Sequence, residues 1–260
     1  MAELNGAPAP PGALQALGLI NYGHFTSMRV RDQQIRGLSH HLERLVRDCR
    51  ELFAVELDRD LVRQYVRHAI GDKSGSFIVR VTVFDPALEL GNPGVAETEP
   101  KVLVTTRPAE AWPPTPMRVQ TAIYRRDLPA VKHVGLFGAL LCRRSAQLNG
   151  FDDGLFMDSG SFISEGATWN IGFFDGERII WPNADVLSGV TMQLLKQVHD
   201  RTITAPVNLR DVPGMRAAFA TNTAMGVRPV SVIDGIQLPA DHSIFDVLRK
   251  EYEEIPAEQI

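Results

Sequence analysis

The sequence predicts an α+β protein with two domains. The composition is that of an ordinary globular chain, because 44% of its 260 residues are hydrophobic and 22% are charged. Many short β-rich runs are interspersed with helical segments, which argues against a doubly wound sheet. A proline-rich stretch at 107–116 would break helices and strands alike. We therefore expect a linker there, between a small domain at 1–112 and a larger domain at 113–260.

Hydrophobic spacing and capping signals predict the elements of the small domain. We interpret the proline-rich residues 7–12 as a loose N-terminal arm. Apolar residues at helical spacing predict a helix over 40–53, and Asp58 is expected to cap a second helix that has Leu61 on its apolar side. Runs of β-branched and aromatic residues predict the strands. The strands are expected at 18–30, 34–36, 77–84 and 102–106, with a turn near Asp32.

The larger domain is predicted to contain many short strands and three helices. The dipeptide Asp175-Gly176 is a hairpin signal between two of the strands. A helix over 133–149 is expected to turn its apolar residues inward, among them Phe137 and Leu141. The other helices are expected from Ser188 and over 243–253, and the strands at 117–123, 154–158, 161–164, 168–174, 178–181, 217–221 and 230–233.

Composition and motifs exclude several classes of function. A formal net charge of −4 leaves no basic footprint for nucleic acid, and no apolar run approaches the ~20 residues that span a bilayer. The sequence has no dinucleotide or P-loop pattern. Cys49 and Cys142 have no activating neighbours, so we interpret them as reduced thiols of a cytoplasmic protein. His24 and His133 have no third ligand at zinc-like spacing, so we expect no metal site.

An amine and a carboxylate stand out as candidates for chemistry. Lys132 follows Pro129-Ala-Val and precedes an apolar run that we expect to be helical. A lysine at the edge of a buried segment is desolvated, which lowers its pKa and favours imine formation. Glu165 follows a predicted strand, and a carboxylate facing a pyridine nitrogen would keep that nitrogen protonated. Taken singly, Lys132 can be interpreted as an ordinary surface lysine and Glu165 as a residue that caps a turn.

Phosphate-binding groups accompany this pair. Gly189-Val-Thr opens a predicted helix, where exposed N–H groups suit a phosphate dianion. The hydroxyl-rich turn at 221–224 offers similar chemistry. Arg44 departs from the apolar face of its helix and could bind phosphate as a fork, although a helical arginine is usually solvated. Amine, carboxylate and phosphate cradle together are the groups that pyridoxal 5'-phosphate (PLP) requires.

An ordered set of segments resembles the fold-type IV PLP enzymes, the class IV aminotransferase family. The resemblance runs from about residue 21 to residue 234, which is most of the chain. Each segment is modest alone, but the order of the whole set is specific. The matching segments are 23–30, 41–45, 131–133, 150–158, 164–171, 187–191 and 222–224, followed by Pro229-Val230.

The resemblance implies a role for each matching residue. Lys132 matches the lysine that forms the internal aldimine and carries the proton between Cα and C4' of the cofactor. Glu165 matches the partner of the pyridine nitrogen, and Arg44 matches an arginine on the cofactor phosphate. The family also implies a homodimer with the cofactor between the two domains. The implied phosphate-cradle positions are Gly189, Val190, Thr191, Asn222 and Thr223.

The sequence departs from the family pattern in several places. Phe137 stands where branched-chain enzymes carry a tyrosine whose hydroxyl reaches the cofactor. Phe84-Asp85 replaces the region that supplies an arginine trap for the substrate carboxylate in D-amino-acid aminotransferases, which disfavours a D-amino-acid substrate. Asn222 replaces a common glycine in the cradle.

The resemblance leaves two reactions open. We favour an aminotransferase that moves an amino group between an amino acid or amine and a 2-oxo acid, because that activity is widespread in the family. The segment that begins Phe25-Thr-Ser is closer to 4-amino-4-deoxychorismate lyase, a PLP lyase that releases pyruvate. A non-catalytic binding protein of the same fold is a remote alternative. The candidate substrate-binding residues are Tyr22, His24, Thr26, Arg29, Arg125 and Arg126.

Overall fold

A computed structural model describes residues 2–94, 98–109 and 115–260. These residues form two compact units. The first unit comprises 2–94, 98–109, Val131–Gly135 and Ala257–Ile260, and the second comprises 115–130 and Leu136–Pro256. The boundary predicted between residues 112 and 113 lies outside the described residues, as do Pro113 and Pro114 of the predicted linker.

The strands and helices alternate irregularly along the chain, as the α+β prediction requires. The strands are β1 (Ala2–Leu4), β2 (Ala7–Pro8), β3 (His24–Arg31), β4 (Gln34–Arg36), β5 (Ser76–Phe84), β6 (Lys101–Pro108), β7 (Met117–Ile123), β8 (Asp153–Met157), β9 (Ile163–Gly166), β10 (Asn170–Phe174), β11 (Ile179–Pro182), β12 (Thr202–Ala205), β13 (Ala217–Asn222), β14 (Gly226–Ile233), β15 (Ile236–Gln237) and β16 (Ala257–Gln259). The helices are α1 (Pro11–Ile20), α2 (Leu38–Phe53), α3 (Arg59–Ile70), α4 (Phe137–Leu148), α5 (Val190–Val198) and α6 (Ile244–Glu254), with a 3-10 helix at Leu209–Gly214.

The first unit is built on one antiparallel sheet in the order β16-β4-β3-β5-β6-β1-β2. Alternate residues of β5, such as Val79 and Val81, pack with Leu45 of α2 and Val66 of α3 in the core. Because side chains alternate across a strand, Arg80 lies on the opposite face of the sheet. On that opposite face, Phe84 of β5 and Leu103 of β6 form a second, smaller core cluster with Ala13 of α1.

Two local signals of the first unit are confirmed, and one detail is wrong. The carboxylate of Asp58 accepts hydrogen bonds from the backbone N–H groups of Asp60 and Leu61, so it caps α3 as predicted. The turn at Asp32 is also present, with a positive φ at that residue. The side chain of Leu61, however, is 41% exposed and does not belong to the buried side of α3.

The predictions of a loose arm at 7–12 and of a strand from residue 18 are wrong. Strand β1 pairs with β6 and β2, and Pro11 opens α1, which continues to Ile20. Proline suits the first turn of a helix because its missing N–H would have no partner there. The proline-rich residues therefore start a helix, and β3 begins only at His24, after Asn21 ends α1 in a left-handed conformation.

The second unit contains a mixed sheet in the order β12-β11-β10-β13-β14-β7-β8-β9, in which β9 also pairs with β10. Three neighbouring pairs are parallel and the others are antiparallel. The hairpin at Asp175-Gly176 is confirmed: Gly176 has φ +112°, and the Asp175 carboxylate accepts the N–H groups of Glu177 and Arg178. Helices α5 and α6 pack together with Trp181 and Phe219 in one core cluster.

Helix α4 differs from its prediction in both its start and its orientation. It begins at Phe137 and not at residue 133. Small residues, Ala139 and Cys142, pack it against Phe156 of β8. Its large apolar side chains point away from that contact and are exposed: Phe137 (79%), Leu140, Leu141 and Leu148. We call these four residues the α4 apolar face.

Within the described ranges, none of the helices combines the length and the apolar character needed to cross a bilayer.

Candidate active site

Lys132 lies in an irregular segment of the first unit and not at the start of a helix. Its backbone C=O accepts a hydrogen bond from Phe25 N (2.9 Å), and its backbone N–H donates to Asp48 Oδ2 (3.0 Å). Its Nζ lies 4.9 Å from the centroid of the Phe25 ring, a cation–π distance. The expectation that this lysine begins an apolar helix is therefore wrong. Backbone bonds on both sides fix its position instead.

The same segment continues along the start of β3. Val134 N donates to Gly23 O (2.9 Å), and His133 forms a bridge with His24. Gly23 has φ +152°, and a Cβ at this position would lie 2.5 Å from Val83 O. Any larger residue would thus collide with β5. Gly23 therefore allows the chain to pass close to β5 while its carbonyl accepts Val134 N.

Arg44 is 6% exposed and lies in a hydrogen-bonded group with Thr26 and His41. Its Nη2 donates to Thr26 Oγ1 (2.5 Å) and approaches His41 Nδ1 (3.2 Å), and Thr26 Oγ1 lies 2.7 Å from His41 Nδ1. Burial, and then the charges of Arg44, Lys132 and His40, hold the pKa of His41 well below its usual value, so its ring is a neutral acceptor. Burial lowers the pKa of Arg44 to about 10, which leaves it protonated at neutral pH.

The other substrate-binding candidates of the first unit, Tyr22, Arg29 and His24, differ in their contacts. Tyr22 donates from its hydroxyl to Leu52 O (2.9 Å), and Arg29 Nε donates to Ser76 Oγ (3.0 Å). His24 is fully buried, and neither of its ring nitrogens has a hydrogen-bond partner within the described part of the chain. Burial and the nearby arginines of α2 lower the pKa of His24 to about 3, so it is neutral.

Glu165 lies in β9 of the second unit and is 5% exposed, so it is not a turn-capping residue. Its Oε1 lies 3.2 Å from Arg126 Nε, and its Oε2 accepts Leu187 N (3.2 Å). Arg126 Nη2 also donates to Pro129 O (2.5 Å). We expected the Arg126 guanidinium to bind a substrate carboxylate, but it is paired inside the protein with the carboxylate of Glu165.

Arg125 is separate from this buried pair. It forms an ion pair with Asp185 (2.6 Å) in which both side chains are about 70% exposed. A cavity of about 770 Å³ in the second unit is lined by Glu165, Arg126, Tyr124, Phe156 and Ser164, among others. Tyr124 stacks edge-on against Phe156 at 4.8 Å, and burial raises the pKa of its hydroxyl.

The start of α5 offers backbone N–H groups without a side-chain cap. Gly189 is the N-cap, and a Cβ there would lie 2.2 Å from Asn170 Oδ1, so a larger residue would displace the Asn170 side chain. Thr191 Oγ1 is buried and has no hydrogen-bond partner among the residues described, and the same is true of Thr221 Oγ1 at the end of β13. Buried hydroxyls without partners are costly, so both are candidate contacts for a bound group or an ordered water.

The turn after β13 is held by its own side chain. Asn222 Oδ1 accepts the backbone N–H groups of Ala224 and Met225 (both 2.9 Å), and Asn222 Nδ2 donates to Thr168 O. This asparagine thus shapes the turn that contains Thr223. Asn222 stands where the family commonly has glycine, and the hydrogen bonds of its side chain constrain the turn.

Sequence reasoning missed two residues near Lys132. Arg80 Cζ lies 3.7 Å from the centroid of the Phe25 ring, the same ring that Lys132 Nζ contacts. Asp48 bonds to the Lys132 backbone and is completely buried. Helical spacing could have indicated Asp48, because it falls on the stripe that contains Leu45 and other buried residues. No local pattern could have indicated Arg80, since strand pairing determines its neighbours.

A family model described as "Amino-transferase class IV" matches residues 23–233. The chain belongs to this family. A Rickettsia bellii relative, provisionally named branched-chain-amino-acid aminotransferase, is 31% identical over 125 residues, which is 45% of this chain and 43% of the relative. A Methanocaldococcus jannaschii relative of similar provisional name is 28% identical over 113 residues, 41% and 39% of the two chains. The chain thus matches less than half the length of these curated relatives.

Solved structures share the fold over nearly the whole chain. The Escherichia coli branched-chain amino acid aminotransferase has a TM-score of 0.82 at 19% identity, and the match covers 96% of this chain and 91% of that one. The branched-chain aminotransferase of Thermoproteus uzoniensis, solved with norvaline, scores 0.84 at 16% identity with coverages of 97% and 93%. A Legionella pneumophila protein provisionally named 4-amino-4-deoxychorismate lyase scores 0.81 at 22% identity, with 96% and 97%. These likenesses establish a fold-type IV architecture.

The residues present fit the phosphorylated cofactor that the family implies. In the first unit, Arg44 Nε is buried without a hydrogen-bond partner in the described residues. In the second unit, the uncapped start of α5 and the Thr191 hydroxyl offer donors. Each unit thus offers donors of a kind that binds phosphate: a guanidinium in the first, and helix N–H groups with a hydroxyl in the second.

Proposed function

We propose that the protein is a PLP-dependent class IV aminotransferase that moves an amino group between an amino acid or amine and a 2-oxo acid. The observation that carries this proposal is the lysine of the family motif, Lys132, which is fixed by two backbone hydrogen bonds beside a cation-binding ring. When bound, PLP supplies an aldehyde for this amine and a ring that accepts the electron pair released at the substrate Cα.

Each residue of the chain then has a defined task. Lys132 is the attachment point of the cofactor and takes up and returns the substrate proton. Glu165 stabilises the protonated pyridine nitrogen, and Arg126 and Leu187 N hold its carboxylate in place. We assign Arg126 to this supporting role instead of substrate binding. The proposed phosphate ligands are Arg44, Gly189, Val190, Thr191, Asn222 and Thr223.

The substrate carboxylate is proposed to bind near the Phe25 ring. Arg80 contacts the same ring as Lys132, and its Nε donates to Thr82 Oγ1 (3.2 Å). A guanidinium that contacts the same ring as the reactive amine suits a carboxylate that is attached to the reacting carbon. Arg29, Tyr22 and His24 remain candidates for further substrate contacts. The exposed ion pair of Arg125 makes this residue the weakest candidate.

We also propose a homodimer and a cytoplasmic location. The α4 apolar face groups four large exposed side chains on one helix, and such patches mark protein contacts. A second copy of the chain is the partner that the family resemblance implies. Cys49 and Cys142 form no disulfide, which is consistent with a reducing compartment.

The assignment of Lys132 can be tested by chemical trapping. Borohydride treatment of the protein with PLP, followed by digestion and mass mapping, is expected to give a pyridoxyl adduct on Lys132 alone. Lys132→Ala should lose the adduct and the visible absorbance of the bound cofactor. Lys196→Ala, which removes a lysine of the second unit, is the matched control. An adduct on another residue, or none in the wild-type protein, would overturn the proposal and would favour the non-catalytic alternative.

The lyase remains the second candidate because of the Phe25-Thr-Ser-Met-Arg segment. Amino donors should be screened with 2-oxoglutarate and pyruvate as acceptors, and aminodeoxychorismate should be assayed for pyruvate release without an acceptor. We expect turnover only when an oxo-acid acceptor is present. Pyruvate release without an acceptor would replace the aminotransferase assignment with the lyase.

A further inference from the structure

Asp48 is a buried carboxylate on α2, one helical turn after Arg44. It has no exposed surface, and burying an ionised carboxylate is costly unless it is paired. Its Oδ1 accepts Nε and Nη2 of Arg47 (3.0 and 2.7 Å), and its Oδ2 accepts the backbone N–H of Lys132 (3.0 Å). One carboxylate therefore joins the interior of α2 to the backbone of the reactive lysine.

We propose that Asp48 is a positioning residue that fixes Lys132 relative to α2 and so sets the orientation of its amine for attachment of the cofactor aldehyde. This inference rests on the proposed function. The other backbone bond of Lys132 comes from Phe25 N, a main-chain group that substitution cannot remove. The Asp48 carboxylate is the side-chain part of the anchor, and it touches the lysine without being part of the reacting group.

Helix α2 then holds both functional groups of the first unit. Arg44 is held on one side by the hydroxyl of Thr26 and by His41. The charge of Asp48, one turn later, attracts Arg44 and raises its pKa against the effect of burial. We therefore assign Thr26 to the support of Arg44 and not to the substrate. The helix fixes the distance between a guanidinium for the phosphate and the backbone of the amine.

The two anchors predict separable defects, which two cofactor fragments can distinguish. Pyridoxal carries the aldehyde without the phosphate, and 4'-deoxypyridoxine 5'-phosphate carries the phosphate without the aldehyde. Borohydride trapping of pyridoxal on Lys132 reports the orientation of the amine. Equilibrium binding of 4'-deoxypyridoxine 5'-phosphate reports the phosphate site. Neither measurement depends on turnover.

For Asp48→Leu, we expect trapping of pyridoxal to fall about tenfold, because a hydrogen bond to a charged acceptor is lost. Binding of 4'-deoxypyridoxine 5'-phosphate should fall by less than the trapping does, because Arg44 keeps its contacts with Thr26 and His41. Asp48→Asn keeps an oxygen acceptor without the charge and should restore part of the trapping. Thr26→Val should show the reverse pattern, weaker phosphate binding with trapping retained. Asp60→Asn, an exposed charge change on α3, is the matched control.

Two results would overturn the inference while leaving the proposed function intact. One is a wild-type rate of trapping in Asp48→Leu. The other is an equal loss with both fragments, which would mean that Asp48 serves packing only. If Asp48→Leu does not fold, Asp48→Asn decides by the same criteria, with a selective loss of trapping supporting the inference. Failure of the wild-type protein to trap pyridoxal on Lys132 would instead reject the proposed function.

Discussion

Helices α2 and α4 carry apolar residues at similar helical spacing but use them in opposite ways. Helix α2 buries its large side chains, Leu42, Leu45 and Phe53, in the core of the first unit. Helix α4 packs against its own unit through Ala139 and Ala146 and leaves its large apolar side chains exposed. Each helix also carries one cysteine, buried in α2 and half-buried in α4.

The difference shows what an apolar pattern can and cannot determine. Periodicity identifies a helix and its apolar stripe. Periodicity does not determine which side of the helix packs inside the unit when small residues form a second stripe beside the large apolar one. In α4 the small residues allow close approach to β8, and the large residues remain available for another chain. Changes at equivalent positions of the two helices should therefore affect different properties.

The largest effect on stability is expected from Leu45→Ala in α2. Leu45 is 1% exposed, and removing its side chain leaves a cavity in the core. We expect the free energy of unfolding to fall by about 2–5 kcal/mol. Leu140→Ala in α4 is the matched change and should cost less than about 1 kcal/mol at protein concentrations below dimer formation. Urea denaturation of both variants tests this, and equal losses would contradict the comparison.

A charge on the α4 apolar face should alter assembly and not folding. For Leu141→Glu, the dimer dissociation constant is expected to rise at least about tenfold, because burying an unpaired carboxylate is unfavourable. Sedimentation equilibrium measures this constant. Gln147→Glu places the same charge on an exposed polar position of α4 and should leave assembly unchanged. A wild-type dissociation constant for Leu141→Glu would place the subunit contact elsewhere.

Acidification should lower the free energy of unfolding, because His24 and His41 are buried as neutral side chains in the first unit. The pKa of His24 is about 3 in the folded protein, against an ordinary value of 6.5, so the unfolded chain binds the proton first. The stability contribution is present in full above pH 6.5 and is lost as the pH falls towards 3, by about 1 kcal/mol per pH unit. His41 acts in the same direction. Urea midpoints between about pH 7.5 and 4 should therefore fall less steeply in His24→Leu. Parallel curves for the two proteins would refute this origin.

The smallest effect is expected in thiol reactivity, which does not change stability. Burial and Glu56 raise the pKa of the Cys49 thiol to about 11, and burial raises the pKa of Cys142. Both should react more slowly than an unperturbed cysteine at about pH 7.5. Cys142 of α4 should be modified first, and Cys49 of α2 only as rapidly as the unit opens. The rates of thiol modification in Cys49→Ala and Cys142→Ala identify the signal of each cysteine. Faster modification of Cys49 than of Cys142 would contradict their difference in burial.

Much of the fold could be predicted because its signals are local. The helical stripe of α2, the cap at Asp58 and the hairpin at Asp175-Gly176 each depend on a few neighbouring residues, and the structure confirms all three. The N-terminal arm was wrong because prolines mark a helix start as well as a loop. In α4, the competing small-residue stripe reversed the expected orientation.

For the candidate site, the sequence proposes residues but does not specify their partners. Motifs indicated Lys132 and Glu165 directly. The pairing of Glu165 with Arg126 joins residues 39 positions apart, and nothing local to either residue specifies it. The surroundings of Lys132 depend on strand pairing with β3 and on a carboxylate 84 positions earlier. Such contacts are products of topology, which a single sequence leaves open.

The position of β16 has a consequence for the order in which the protein is made. This strand follows the whole second unit in sequence, yet it pairs with β4, and Ile260 fills the core of the first unit. Arg67 binds the Ile260 carbonyl, and Arg63 binds that of Gln259. A nascent first unit on the ribosome therefore lacks an edge of its sheet until residues 257–260 emerge. Its folding is completed after translation of the second unit, although its own helices are synthesised first.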